Sequence, residues 1–259
     1  MLKTERHQKI LNLCETHGIV SVKLIQDNLA VSDMTIRRDL KELADNEQLH
    51  RVHGGAQSLN YEYQAAEMSQ LRQELSHTEK KQISTNEKNY IAKKAASIIQ
   101  QTDESIFLGP GTTIELMTEF INISRLRVIT NSLPVFNLLK EKDNFELHLI
   151  GGEYRNKTGA FVGAMAIEML NKININKAFI GVNALQDDQV FTFNIEEGNL
   201  QQLVLEKATE KYLLADSQKF DEIDFYSFYK LSDVDALFTD SSLDLEVKKD
   251  YEQYTKIIN

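Results

Sequence analysis

Residues 32–43 read S-D-M-T-I-R-R-D-L-K-E-L, and the stretch has two faces. At helical spacing Ile36, Leu40 and Leu43 fall at i, i+4 and i+7 and make one apolar stripe, while Met34, Arg37, Arg38 and Lys41 fall on the opposite side. Ser32 stands where an N-cap belongs, its hydroxyl placed to accept a backbone N–H of the first turn. One face packs and the other reaches outward. Thr35, Arg37 and Arg38 near a helix start suit phosphate oxygens and base edges.

The flanks tell what such a helix is for. Upstream, Thr4 caps a first helix with Ile10, Leu13, Cys14 and His17 on one face, and Gly18 stops it at C′. Ser21 caps a second, carrying Val22, Ile25 and Leu29, and Asn28 to Val31 form a short turn before Ser32. Three short helices with a tight turn before the last describe a helix-turn-helix whose last helix enters the major groove of double-stranded DNA. Downstream, "QLHRVHGGA" (48–56) is a short extended run closed by glycines, which predicts a β wing. Arg51 and His53 on that wing are placed for the DNA backbone or minor groove. A lone Arg-Arg pair is a weak nucleic-acid footprint. Caps, two approach helices and a wing in this order are a stronger one.

Composition bounds the rest. The chain has 259 residues with 42% hydrophobic content, enough for two domains with real cores. Its net charge of −10 argues against nucleic acid if spread evenly, but residues 1–57 balance eight Lys/Arg against eight Asp/Glu, so the remainder carries the whole excess. DNA affinity therefore rests on the placement of a few cations. The single cysteine, Cys14, excludes an internal disulfide and is expected as a buried thiol. No Cys/His cluster marks a metal site, and no cofactor or catalytic group is expected. There is no run of about 18 apolar residues and no apolar core to a leader peptide at the polar start, so the expectation is a cytoplasmic protein without a membrane partner.

The pattern divides the chain into a helix-turn-helix head at 1–57, a Gln/Glu-rich linker at 58–85 and a body at 86–259. In the body, strand signals at 105–108, 127–129, 146–150, 178–181, 212–215 and 236–238 alternate with helical ones at 113–121, 162–172 and 196–210. Alternation of this kind predicts an α/β fold, a mainly parallel sheet covered by helices on both faces.

Ligands of open α/β sheets bind beyond the carboxyl ends of the strands. Here those ends lead into "GPGTT" (109–113), "TNS" (130–132), "GGEYR" (151–155), "GVNA" (181–184), "ADSQK" (215–219) and "TDSS" (239–242). "GPGTT", running from strand to helix, is suited to an anion: Gly109 and Gly111 let the backbone approach, the helix start offers N–H groups, and Thr112 and Thr113 add hydroxyls. It is not a Walker A loop, and Ile114 replaces the third glycine of a dinucleotide fingerprint. Arg155 and Lys219 would supply charge for a phosphate monoester. With Asn131, Ser132, Gly151 and Gly152 they complete the candidate ligand residues. A phosphosugar isomerase is the enzymatic alternative, with Glu197, Asp187 or Asp216 as base, yet no residue pair identifies itself as an acid–base couple.

"SDMTIRRDL" with "RVHGGA" resembles the winged helix-turn-helix signature of the DeoR family of bacterial transcription regulators, and "GTT", "TNS", "GG..R", "FVG" and "ADSQK" are similar to its sensor-domain landmarks, in order. The resemblance runs nearly end to end. It implies a sensor domain similar in fold to ribose-5-phosphate isomerases and CoA transferases, a phosphorylated sugar effector, and a homodimer or homotetramer repressing a sugar-utilisation operon; an activator with the same head is the alternative. "FLGPGTTIEL", "LPVF", "LIGGEYR" and "EKYLLADSQK" most resemble the branch governing lactose and galactose use, which implies tagatose 6-phosphate or a related hexose phosphate. On operator DNA, Thr35, Arg37 and Arg38 would lie nearest the bases and Ser32 and Lys41 on phosphates. The family's basic wing residue is kept as Arg51. Its usual glycine after the recognition helix is Glu47 here, which implies modest operator affinity. "GVNAL" and "FNIEEGN" sit where the family varies most with effector.

Overall fold

The helix read from "SDMTIRRDLKEL" runs Asp33–Asp45 (α3), and the Ser32 side chain accepts from the Thr35 N–H. The computed structural model describes residues 3–259 except 18, 30, 47, 53, 54, 60–73, 102 and 104. They fall into two compact units, 1–73 and 74–259. In the first, α1 (Lys3–His17), β1 (Ile19–Ser21), α2 (Val22–Leu29) and α3 precede an antiparallel pair, β2 (Leu49–Val52) and β3 (Gly55–Ser58). Strand β1 pairs with the far edge of β3, giving the order β1-β3-β2. This is the expected winged arrangement, with Ser21 ending β1 at the start of α2. Ile36, Leu40 and Leu43 are fully buried against Ile10, Cys14, Val20, Ile25, Leu49 and Ala56. Each large side chain so buried contributes about 1.5–3 kcal/mol, which is how so small a unit holds three helices together.

The second unit begins earlier than the expected boundary. Residues 77–81 form a short helix, α4 (His77–Lys81), and α5 spans Thr85–Ala96. Helix α4 is started by a reciprocal cap: the Ser76 hydroxyl takes the Glu79 N–H while the Glu79 carboxylate takes the Ser76 N–H. There follow β4 (Ser105–Leu108), α6 (Thr112–Phe120), β5 (Leu126–Thr130), α7 (Leu133–Leu139), β6 (Phe145–Leu149), a hairpin of β7 (Glu153–Arg155) and β8 (Ala160–Val162), α8 (Ala164–Leu170) and β9 (Ile175–Gly181). After these come β10 (Ala184–Gln186), β11 (Gln189–Thr192), α9 (Ile195–Lys207), β12 (Ala208–Leu214), β13 (Tyr226–Lys230), β14 (Ala236–Phe238), α10 (Leu245–Tyr251) and β15 (Lys256–Ile258).

Seven of these strands form one sheet in the order β15-β14-β12-β9-β4-β5-β6, every neighbouring pair parallel. All six expected strands are in it, and β15 is the seventh. Alternate residues serve opposite faces. Ile106 and Leu108 pack with α5, α6 and α7, whereas Phe107 packs with α8 and α9. Two buried faces explain why these strands read as continuous apolar runs. Helix α9 stops at Lys207, three residues short of the expectation, because Ala208 already pairs with Ile175.

Chain order fixes where a ligand can enter. From β4 the chain moves outward through β5 and β6, then returns to the other side of β4 as β9 and continues outward through β12, β14 and β15. The reversal leaves a crevice at the carboxyl ends of β4 and β9, the topological switch point of the sheet.

Candidate functional site

A cavity opens at that switch point. Its walls come from Pro110, Gly111, Thr112 and Thr113 after β4, Gly181, Val182 and Asn183 after β9, and Ala215, Asp216 and Lys219 after β12. Thr158, Thr192, Glu197 and Gln201 complete the lining together with His77, Lys80 and Lys88.

Gly111 is the N-cap of α6 with φ +138°, a conformation L side chains rarely adopt, and no side chain caps the helix. The first-turn N–H groups of α6 therefore remain open toward the cavity. Three ammonium groups share the cavity lining. Lys80 donates to Asn183 Oδ1 at 3.1 Å, Lys88 is buried and donates to the Lys80 carbonyl, and Lys219 makes no ion pair among the described residues. Burial pushes the Lys80 ammonium below the ordinary lysine range, with the charge of Lys219 adding to the effect. Lys88 is lowered as well, first by burial and then by Lys219 and Lys80, against the opposing pull of Asp216.

The remaining wall is acidic and amidic. Glu197 and Gln201 stand one turn apart on α9, both buried. Asn194 caps that helix by accepting the Glu197 N–H at 3.0 Å, which fixes the first turn. The Glu197 carboxylate accepts from the Thr158 hydroxyl and lies 2.8 Å from Arg155 Nη1. Burial raises it above the usual carboxylate range, and Thr158 and Arg155 pull it part of the way back. Gln201 Oε1 is buried without a hydrogen-bond partner among the described residues. A buried acceptor without a donor costs free energy until a ligand supplies one.

The structure thus gathers Gly111, Thr112, Thr113 and Lys219 of the expected ligand residues at one cavity and leaves the others outside its walls. Gly109 donates its N–H to the Phe179 carbonyl, and a Cβ there would meet Ile180 at 3.0 Å, so it serves strand packing. The "TNS" loop is structural: Thr130 donates to the Leu108 carbonyl at 2.6 Å, Asn131 Nδ2 donates to the Phe161 carbonyl, and Ser132 caps α7. Gly151 and Gly152 form the turn into the β7–β8 hairpin, where a Cβ on Gly152 would strike the Val162 carbonyl. Arg155 stands behind the wall, paired with Glu74 and Glu197. Strand order accounts for part of this: β6 and β14 stand two strands from the switch point, whereas β5 is as near to it as β12, and its loop is taken up by its own bonds to Leu108, Phe161 and the start of α7.

His77 and Lys80 escape a reading that treats residues 58–85 as linker, and Lys88 stands just inside the body without a strand end to mark it. Two signals mark them: the S-x-x-E cap at Ser76–Glu79 and the buried stripe Ile91, Ala92 and Ala95 on α5.

In the first unit, the outward face of α3 carries Met34 at 81% exposure together with exposed Ser32, Arg37, Arg38 and Lys41, and Arg51 is exposed on β2. Thr35 is half-buried with its hydroxyl 2.8 Å from that of Ser32. Arg37 is held by Asp33 through Nε at 2.5 Å and Nη2 at 3.2 Å, one turn back along the helix. Arg38 and Lys41 have no such partner among the described residues. Asp39 faces the opposite way. It is 2% exposed, accepts from Arg6 Nε at 2.5 Å and Nη2 at 3.0 Å, lies 3.2 Å from His7 Nε2, and so ties α1 to α3. Burial drives its carboxyl up, but the bonds to Arg6 and His7 outweigh that and hold it below the usual range. Glu47 and His53 lie outside the described residues.

A model of the DeoR-like helix-turn-helix domain matches residues 6–62, and one of the DeoR C-terminal sensor domain matches 83–241. A lactose phosphotransferase system repressor of Streptococcus mutans is 44% identical over the full length of both chains, and one of Lactococcus lactis is 44% identical over all of this chain and 99% of its own. Among solved structures, ribose 5-phosphate isomerase A of Neisseria gonorrhoeae aligns over 53% of each chain at 17% identity with a TM-score of 0.36. An eIF2B beta subunit from Chaetomium thermophilum covers 66% of this chain and 54% of its own at 16% identity, TM-score 0.45. Those structural likenesses are too remote to bear on activity. The two domain models in sequence, and relatives alike from end to end, settle the family: this chain belongs to the DeoR family, a DeoR-like helix-turn-helix followed by a DeoR sensor domain.

Proposed function

We propose that the protein represses a sugar-utilisation operon, that of lactose or galactose use, and leaves its operator when a phosphorylated sugar of the tagatose 6-phosphate class fills the switch-point cavity. One observation carries the effector: Lys80, Lys88 and Lys219 share with the uncapped start of α6 a cavity that is also lined by Glu197, Gln201 and Thr158. A dianionic phosphate suits the first set and a chain of hydroxyls the second. Asn183 and Thr192 line the same cavity and would read the sugar's stereochemistry. Gly109, Asn131, Ser132, Gly151, Gly152 and Arg155 then act by shaping the walls.

On DNA, α3 enters the major groove, Arg38 and Arg37 read base edges, Thr35 lies beside them, and Ser32, Lys41 and Arg51 meet phosphates. Arg37 must trade part of its Asp33 pair for a base, so Arg38 carries more of the specificity. As a homodimer or homotetramer in the cytoplasm, the protein would present one such helix per half-site. The names of the relatives support repression; operator position relative to the promoter separates it from activation. We read the cavity as a receptor and not a catalytic site, because Glu197, its best base, is already engaged by Thr158 and Arg155.

The test is fluorescence anisotropy of operator DNA at fixed salt with a panel of sugar phosphates. Release by one of them is expected, at a coupling of about 1.4–2.7 kcal/mol for a tenfold to hundredfold effect. Binding to DNA that no sugar phosphate alters would defeat the effector reading. Aldose–ketose interconversion seen by NMR would revive the isomerase.

A further inference from the structure

Behind Glu197 lies a buried chain of charge that reaches the first residue of the second unit. Arg155 Nη1 is 2.8 Å from Glu197 Oε1 without hydrogen-bond alignment, while Arg155 Nη2 donates to Glu74 Oε2 at 3.0 Å. Glu74 is buried, and its Oε1 has no hydrogen-bond partner among the described residues. One guanidinium therefore serves two carboxylates, holding neither in full bidentate geometry. Only Glu197 lines the cavity; Arg155 and Glu74 do not. Three residues beyond Glu74, the His77 N–H donates to the Lys157 carbonyl at 2.9 Å, and the Ser76–Glu79 cap locks the intervening turn. Segment 74–77 is thus joined to segment 155–157 at both its ends.

We propose that Arg155 is a positioning residue that reports occupancy of the cavity to Glu74, where the chain enters the sensor unit from the head. A ligand hydroxyl donating to Glu197 competes with Thr158 and Arg155 for the same oxygen. The released guanidinium N–H has an acceptor waiting, Glu74 Oε1, and Arg155 closes on both oxygens of Glu74 as a bidentate pair. Ligand binding thereby tightens the anchor of the chain that leads to the head. The inference rests on the phosphosugar reading of the cavity. It assigns a two-state element that the effector biases, which is what a coupling between distant sites requires.

The experiment uses the full chain, its operator, tagatose 6-phosphate, and inorganic phosphate at matched ionic strength. In the wild type, tagatose 6-phosphate should weaken operator binding about tenfold or more, and inorganic phosphate, which has no polyol arm to engage Glu197, should leave it within about twofold. Glu74→Gln keeps the shape and removes the charge that the second arm of the pair needs. It should bind tagatose 6-phosphate within about threefold of wild type yet release operator less than about twofold, and by reciprocity operator DNA should no longer alter its sugar affinity. A Glu74→Gln protein that releases operator as the wild type does overturns the proposal, as does release by inorganic phosphate alone. Should the variant fail to fold, hydrogen exchange of wild-type amides 74–76 decides: slowing on tagatose 6-phosphate supports the anchor and no change refutes it. A wild type that binds operator but answers to no sugar phosphate sinks this inference and the effector reading together. A wild type released normally with Glu74→Gln unaffected sinks this one alone.

Discussion

Asp39→Asn isolates what holds the recognition helix in place. The change preserves volume, but it removes the charge facing Arg6 and replaces one acceptor oxygen with an NH2 that faces an Arg6 donor whichever way the amide is turned. Losing one partner of a fully buried pair costs about 3–5 kcal/mol. Here the Arg6 side chain keeps 14% exposure and His7 keeps 17%, so water recovers part of the loss and about 2–3 kcal/mol is expected. Amides in the Leu40–Leu43 turn, which exchange only when the head opens, should then exchange about 30- to 150-fold faster. Amides of β4, in the other unit, should be unchanged and serve as the internal reference. The loss is also pH-dependent with a fixed sign. Because the folded pKa of Asp39 lies below its unfolded value, its contribution is complete above about pH 4 and fades as pH falls through the folded pKa. Wild type and variant should therefore converge in acid. Operator affinity of the folded variant should stay within about threefold, since the carboxylate points inward. Exchange in the head altered by less than about threefold would show the buried cluster to be neutral, and the tether argument would fail.

Further outcomes follow from the same geometry. Arg38→Ala should weaken specific operator binding by about 1–3 kcal/mol or more while sugar phosphate affinity, read by calorimetry, stays put; retained operator affinity would mean the wrong helix face has been assigned. Lys88→Met keeps the aliphatic stem and should weaken tagatose 6-phosphate about 10- to 100-fold, with operator binding intact. Because burial lowers Lys80 and Lys88, sugar phosphate affinity in the wild type should fall with rising pH before the ordinary lysine value of about 10.4 is reached, and titration calorimetry across pH 7–10 checks it. Gly111→Ala meets no atom within 4 Å of its new Cβ, so its cost is backbone strain alone, about 1–3 kcal/mol. A melting temperature of the sensor unit unchanged by that substitution would show that the strained cap relaxes freely.

Much of this molecule was legible where local chemistry and packing agree. The Ser32 cap, the Ile36–Leu40–Leu43 stripe and the apolar runs of β4, β9 and β12 each state their structure because one face, or both, must be buried. "GPGTT" declared its place because a glycine-capped helix after a strand has few other uses. What stayed hidden was long-range. Nothing near Asp39 in sequence reveals that Arg6 and His7, over thirty residues upstream, would bury it. Arg155 read as a phosphate ligand because it follows a strand end; only the strand order shows β6 at the rim and the hairpin turning that arginine inward. Lys80 and Lys88 sit in a polar stretch whose caps were visible but whose apolar partners, the faces of α6 and the sheet, are supplied by tertiary structure.

Since His77, Lys80 and Lys88 belong to the cavity wall, the place at which the sensor can be separated from its reader is narrowly defined. A fragment begun at residue 86, where the strand–helix rhythm starts, would fold its sheet around a cavity stripped of one ammonium and one imidazole. A joint made ahead of Glu74 keeps the whole wall. For grafting this sensor onto a different DNA-reading head, the useful unit is the sheet together with the short capped helix that precedes it, and a chimera that ignores that helix would inherit the fold without its signal.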